Sequence, residues 1–114
     1  MPKTTVEFYT TEDGASPVRK FIDRRTSRQQ VKILRLLQHL EEFGLTPAIP
    51  NARKLRGTPL WELRALGRDN IRILCASLGE GRVAILHIFL KKKRRTPRKE
   101  IDTALRRHKP LLDN

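Results

Sequence analysis

The sequence predicts an α+β domain in which an N-terminal helical hairpin packs on a twisted antiparallel β-sheet and a C-terminal helix follows. Three observations carry this. Ile33, Leu36, Leu37, Leu40 and Phe43 recur at the three-and-four spacing of one helix face. Three short runs, Trp61 to Leu66, Asn70 to Ser77 and Val83 to Leu90, are separated by Gly-containing connections of hairpin length. Thr96-Pro97 then pairs an N-cap residue with a first-turn proline, ahead of a stripe formed by Ile101, Ala104 and Leu105.

At 114 residues the chain fits one domain spanning 1–114. Val6-Glu7-Phe8-Tyr9 alternates in hydrophobicity and ends in the polar cluster Thr10 to Gly14, which predicts a short first strand and a turn. Ser16 offers a side-chain acceptor to a helix over 17–25 that begins with Pro17, where a missing N–H costs nothing. Ser27 and Gln30 have capping-box spacing and open the second helix. Gly44 is a ready residue for ending it, and Pro47 and Pro50 prevent its continuation. From Thr46 to Pro59 the composition describes a connection, interrupted by the apolar anchor Leu55 between Lys54 and Arg56.

Period two sorts the strand side chains. Glu62, Arg64 and Leu66 share one face, opposite Trp61, Leu63 and Ala65, and Arg72 opposes Ile71 and Ile73. If Trp61/Leu63 and Ile71/Ile73/Cys75 lie on the helices, Arg64 and Arg72 project together from the open face. The run to Leu90 is apolar on both faces, as a central strand requires. Trp61 sits among Leu60 and Leu63 and is read as core, stacking on a nucleotide being the alternative. Lys109-Pro110 ends the last helix.

The formal net charge is +13, and its distribution is uneven. Residues 1–50 carry eight Lys/Arg against six Asp/Glu, whereas 51–114 carry seventeen against six. A basic face of this kind is the electrostatic footprint of nucleic-acid binding, because neutralising phosphates releases counterions. Cys75 is the single cysteine, so no intramolecular disulfide and no thiolate metal site can form. No phosphate loop, GxSxG, HExxH or Cys/His metal spacing is present, and no cofactor is expected. No apolar run approaches the roughly 18 residues of a membrane span, and the chain is expected to be cytoplasmic.

Arg64, Arg72 and the block Lys91-Lys92-Lys93-Arg94-Arg95 bring cations together without a protein nucleophile. Such a site can still cleave RNA, since the substrate's 2′-hydroxyl is itself the nucleophile and guanidinium forks can stabilise charge developing on phosphorus. The base is the difficult part: a lysine serves only if its pKa is lowered, for which the crowded Lys91–Arg95 block is a candidate. His39 and His108 are expected on a solvated helix flank and at a helix C-terminus. His87 lies mid-strand on the face expected to hold Ile85 and Phe89, either as a partly buried, hydrogen-bonded ring or as a proton-transfer group.

At these residues the sequence resembles the RelE/HigB toxin superfamily and, within it, the phage Gp49-like, HigB-type branch. The carrying pattern is Lys54-Leu55-Arg56-Gly57, Leu60-Trp61-Glu62-Leu63-Arg64, Ile71-Arg72-Ile73-Leu74, Phe89 followed by Lys91-Lys92, Thr96-Pro97, and Glu100-Ile101 with Ala104. The resemblance implies a RelE-like fold and the toxin of a type II toxin–antitoxin system, a ribosome-dependent mRNA endonuclease neutralised by a helix-turn-helix, HigA-like antitoxin. Carried over by position, Arg64, Arg72 and Lys92 are the catalytic candidates, with Lys54, Arg56, Lys91, Lys93, Arg94 and Arg95 as RNA-binding cations. Many relatives place a tyrosine in the C-terminal segment; here Arg98 and Lys99 stand there, which leaves the base unassigned. A non-catalytic module of the same fold that binds nucleic acid or an antitoxin, and a ParE-like gyrase inhibitor, are the alternatives.

Overall fold

In a computed structural model of the chain, which describes residues 3–46, 49, 51–65, 67–92 and 94–112, β1 (Thr5–Phe8) leads into α1 (Pro17–Asp23) and α2 (Ser27–Phe43). The strands β2 (Ala52–Lys54), β3 (Trp61–Arg64), β4 (Ile71–Gly79) and β5 (Arg82–Leu90) follow, then α3 (Arg98–His108). The α+β class is as expected, with one five-stranded sheet in the order β1-β5-β4-β3-β2.

Local chemistry explains most of the boundaries. The Ser16 hydroxyl accepts from Arg19 N–H at 3.2 Å to cap α1. The box that opens α2 is one residue earlier than its spacing predicts: Thr26 Oγ1 accepts from Gln29 N–H, and Gln29 Oε1 from Thr26 N–H. Gln30, freed from that role, sends its amide to the carbonyl of Ile22 at 2.8 Å and ties α2 to the end of α1. Glu80 and Gly81 both have positive φ, as the two-residue primed turn between β4 and β5 requires. Gly44 has φ +70 and returns its N–H to Leu40 at the end of α2, as expected; Pro47 and Pro50 lie outside the described residues.

The sheet departs from a purely antiparallel one at its margins. β2, β3, β4 and β5 pair antiparallel, but β1 pairs parallel with β5, from Thr5 opposite Arg82 to Phe8 opposite Ile85. Arg82 and Glu7 form an ion pair at 2.6 Å across that join. β2 lies within the stretch expected to be a connection; three residues suffice because β3 supplies the other half of its ladder.

Two apolar layers enclose the sheet. On one face α1 and α2 bury Val18, Ile33, Leu37 and Leu40 against Leu63, Ile71, Ile73, Cys75 and Ile85. Cys75 packs there as a small apolar residue, and complete burial pushes its thiol up to about 12. Trp61 is packed against the same layer, in agreement with the core reading. On the other face α3 sets Ala104, with Ile101 and Leu105, on Leu74, Ala76, Ala84 and Leu86.

The α3 face corrects one expectation. Leu74 pairs with His87 but Cys75 with Ile85, so Leu86 is an extra residue in β5. The bulge puts Leu86 and Phe89 in the α3 layer and Ile85 in the opposite one, so His87 does not share Ile85's face. Thr96 does not cap α3 either. Pro97 occupies the cap position without a side-chain bond, and the Thr96 hydroxyl is used elsewhere. Lys109-Pro110 ends α3 as an α-helix, but Lys109–Leu112 continue as a 3₁₀ turn.

Candidate functional site

Two neighbouring rungs of the sheet on its α3 side build the site. One runs Arg53, Glu62, Leu74, His87 across β2, β3, β4 and β5; the next runs Arg64, Arg72, Phe89 across β3, β4 and β5. Residues directly opposite on neighbouring strands project to the same side, so Arg64 and Arg72 stand next to one another, as period two predicts. Like charges placed directly opposite repel, so the arrangement needs a counter-charge.

That counter-charge is Glu62. Its side chain is fully buried, its Oε2 accepts from the Thr96 hydroxyl, and its Oε1 lies 3.3 Å from Arg53 Nε. The same carboxylate acts electrostatically on Arg72 and Lys91. Burial is the largest influence holding the Arg72 guanidinium below its ordinary value; Glu62 opposes it, and Arg64 and Arg53 reinforce it. Arg72 donates through Nη1 to the carbonyl of Ile71 at 3.1 Å, while its buried Nε has no partner.

Lys91 joins this group. Its backbone N–H donates to Asn70 at 2.8 Å, at the turn between the two arginine strands. Its ammonium is lowered chiefly by burial, with Arg72, Arg53 and Arg64 adding to the shift and Glu62 opposing it. The turn itself is fixed to α2 through Asp69, which accepts from Lys32 Nζ at 2.9 Å and Gln29 Nε2 at 3.0 Å. These bonds, with that of Lys32 the larger influence, hold the Asp69 carboxyl below its usual range. Arg64 in turn borders a cleft of about 260 Å³ whose other wall includes Lys32, Arg35 and His39 of α2.

The other expected cations are more dispersed. Lys92, Arg94 and Arg95 are exposed on the connection to α3; Lys93 lies outside the described residues. Lys54 pairs in register with Trp61, on the opposite face from Arg53, and donates to the carbonyl of Thr58 at 2.9 Å. Arg56 is exposed in the following loop. From this segment Arg53 is the residue that reaches Glu62.

His87 is engaged on both sides of its ring. Nε2 lies 2.9 Å from Glu100 Oε1, and Nδ1 lies 3.3 Å from Arg107 Nη1. A guanidinium can only donate, so Nδ1 is the acceptor and the ring proton resides on Nε2, facing Glu100. Burial depresses the ring's pKa, against the pull of Glu100. His87 also stacks on Phe89, with centroids 5.4 Å apart. His108 is the last residue of α3, at a helix C-terminus as expected, but it is buried there, and burial lowers its pKa and so disfavours the imidazolium.

Sequence reasoning passed over Arg53, Glu62 and Thr96. The available signal was an acidic residue at period two from Arg64, inside an apolar strand, where a charge must be paired to be buried.

Residues 20–109 match the model of the family described as phage derived protein Gp49-like. The chain therefore belongs to that family, which is a RelE/HigB-type toxin family. No curated protein matches it. The family is consistent with the toxin of a toxin–antitoxin system and implies an antitoxin as partner. Among the described residues no helix is long and apolar enough to cross a membrane.

Proposed function

We propose that the chain is a single-domain, cytoplasmic toxin that halts translation by cleaving mRNA on the ribosome. The observation that carries this reading is the Arg64/Arg72 pair, set on one sheet face with Lys91 beside it and a buried carboxylate beneath. In the proposed reaction the 2′-hydroxyl attacks the adjacent phosphorus, a P–O bond to the 5′-oxygen of the next nucleotide breaks, and a 2′,3′-cyclic phosphate results. Arg64 and Arg72 bind the non-bridging oxygens as negative charge accumulates there. The proton from the 2′-hydroxyl goes to a lysine amine and the departing 5′-oxygen takes up a proton from water; among the described lysines, burial holds Lys91 below its ordinary pKa, and Lys92, carried over from the family pattern, is exposed to solvent. His87 orients α3 against β5, since both ring nitrogens are already bonded.

The exposed Arg56, Arg94 and Arg95 on the flanking loops add positive charge, suited to an mRNA held in a polyanionic ribosome, while Lys54 adds its charge on the opposite face. A helix-turn-helix, HigA-like antitoxin would inhibit by laying an acidic segment over the Arg64/Arg72/Lys92 region. The test is addition of the purified chain to ribosomes carrying a short mRNA and, in parallel, to the same mRNA alone. Cleavage confined to the ribosome-bound message supports the reading. An intact message in both, with supercoiling by gyrase blocked instead, points to the gyrase-inhibitor branch.

A further inference from the structure

A second cleft, of about 340 Å³, opens on the β1 side of β5, where β5 continues past its last pairing with β1 at Ile85. α1 and α3 supply its walls. Lys20, Arg24, Arg25, His87 and Arg107 line it, and among the described residues no carboxylate does. Glu100, which lies 2.9 Å from His87 Nε2, is already engaged by that ring.

Two of these cations are held in place with donors unused. The Arg25 guanidinium lies 4.4 Å from the centre of the Phe21 ring, and its Nε is buried without a hydrogen-bond partner. Arg107 lies 5.3 Å from the centre of the Tyr9 ring. Its bonds to the Leu86 carbonyl and to His87 Nδ1 both use Nη1, which leaves Nη2 and Nε without a hydrogen bond among the described residues. Lys20 and Arg24 stand exposed at the mouth. Cations of one sign gathered in a partly desolvated cleft repel one another, and an anion entering it would remove that repulsion and satisfy the idle donors.

A carboxylate is fully met by one guanidinium fork. A phosphate presents three or more acceptor oxygens in a tetrahedral array and can accept from several forks at once. We propose that this cleft binds a phosphate group through its own cations, which are distinct from the Arg64/Arg72 pair, and independently of whether that pair cleaves RNA. The group could arrive on a small phosphorylated molecule or as part of an RNA backbone, and the same chemistry would hold either.

The test is an NMR titration of the full chain with inorganic phosphate, read at the arginine Nε–H signals and matched in ionic strength with chloride. Saturable shifts of Arg25 and Arg107, absent with chloride, are expected. Replacing the two exposed residues, Lys20→Gln with Arg24→Gln, leaves the fold intact and should weaken binding by roughly tenfold or more, whereas Arg64→Gln should leave it unchanged. Competition by adenosine monophosphate then assigns the site to a small molecule, and competition only by a 2′-O-methylated tetranucleotide assigns it to RNA. Shifts that fail to saturate, that chloride reproduces, or that persist unaltered in the double variant would overturn the proposal.

Discussion

The hydroxyl of Thr96 donates to Oε2 of Glu62, a carboxylate with no exposure to solvent. This bond ties the segment entering α3 to the third strand, and the carboxylate it reaches is the counter-charge for Arg53, Arg72 and Lys91. Removing the charge at Glu62 should leave these cations crowded and partly desolvated. Glu62→Gln is expected to cost roughly 3 kcal/mol or more in urea denaturation. Thr96→Val, which leaves the charge in place, should cost about 1 kcal/mol. Equal stability of Glu62→Gln and the parent chain would deny Glu62 this role.

The arginine pair and the two lysines can be separated by mutation. Arg72→Ala is expected to lower mRNA cleavage by about a hundredfold or more, the scale of losing one donor to transition-state charge. Its unfolding midpoint should stay near the parent's, because the side chain leaves no apolar core gap. Lys91→Ala should reduce the cleavage rate more than Lys92→Ala, since Lys91 is the lysine coupled to Arg72 and Glu62. Single-turnover rates on ribosome-bound mRNA decide between them, and the reverse ranking would move the proton-transfer role to Lys92.

Stability should fall with acidification in a window set by two histidines. Burial lowers the folded-state pKa of both His87 and His108, so each binds its proton more readily when unfolded. Their contribution is intact above the unfolded value near 6.5 and is lost as pH falls through the lowered folded values. Each can add a slope of up to about 1.4 kcal/mol per pH unit there. The carboxylates of Glu7, Asp13 and Asp69 are lowered as well, so their contributions disappear only at lower pH. Denaturation between pH 7.5 and 5.5 should show the slope, and His108→Gln should reduce it.

The cap of α2 offers a local check. Thr26→Ala removes the acceptor for Gln29 N–H and is expected to cost about 1 kcal/mol. Ser27→Ala lies inside the first turn and should change stability by less than about 0.5 kcal/mol.

These examples show what the sequence made legible. The stripe from Ile33 to Leu40 and the three runs from Trp61 to Leu90 state their own secondary structure, because local periodicity fixes which side chains share a face. That was enough to set Arg64 beside Arg72. It was not enough for His87, because an extra residue at Leu86 resets the alternation and nothing local announces a bulge. Nor did it give the parallel pairing of β1 or the short β2, whose partners are distant in sequence. Ser27 with Gln30 has the capping-box spacing, but so does Thr26 with Gln29 one residue earlier, and spacing alone does not choose between the two frames. Thr96 carried a cap signal that its bond to Glu62 overrode, and Glu62 and Arg53 joined the site through tertiary contacts alone.

The most direct test of the central claim is to induce the chain without an antitoxin in growing cells and map the 5′ ends of the mRNA pool, with Arg72→Ala as control. New ends inside translated coding regions, absent from untranslated RNA and lost in the control, are the expected result. Messages that remain intact while the folded wild-type chain accumulates would contradict it.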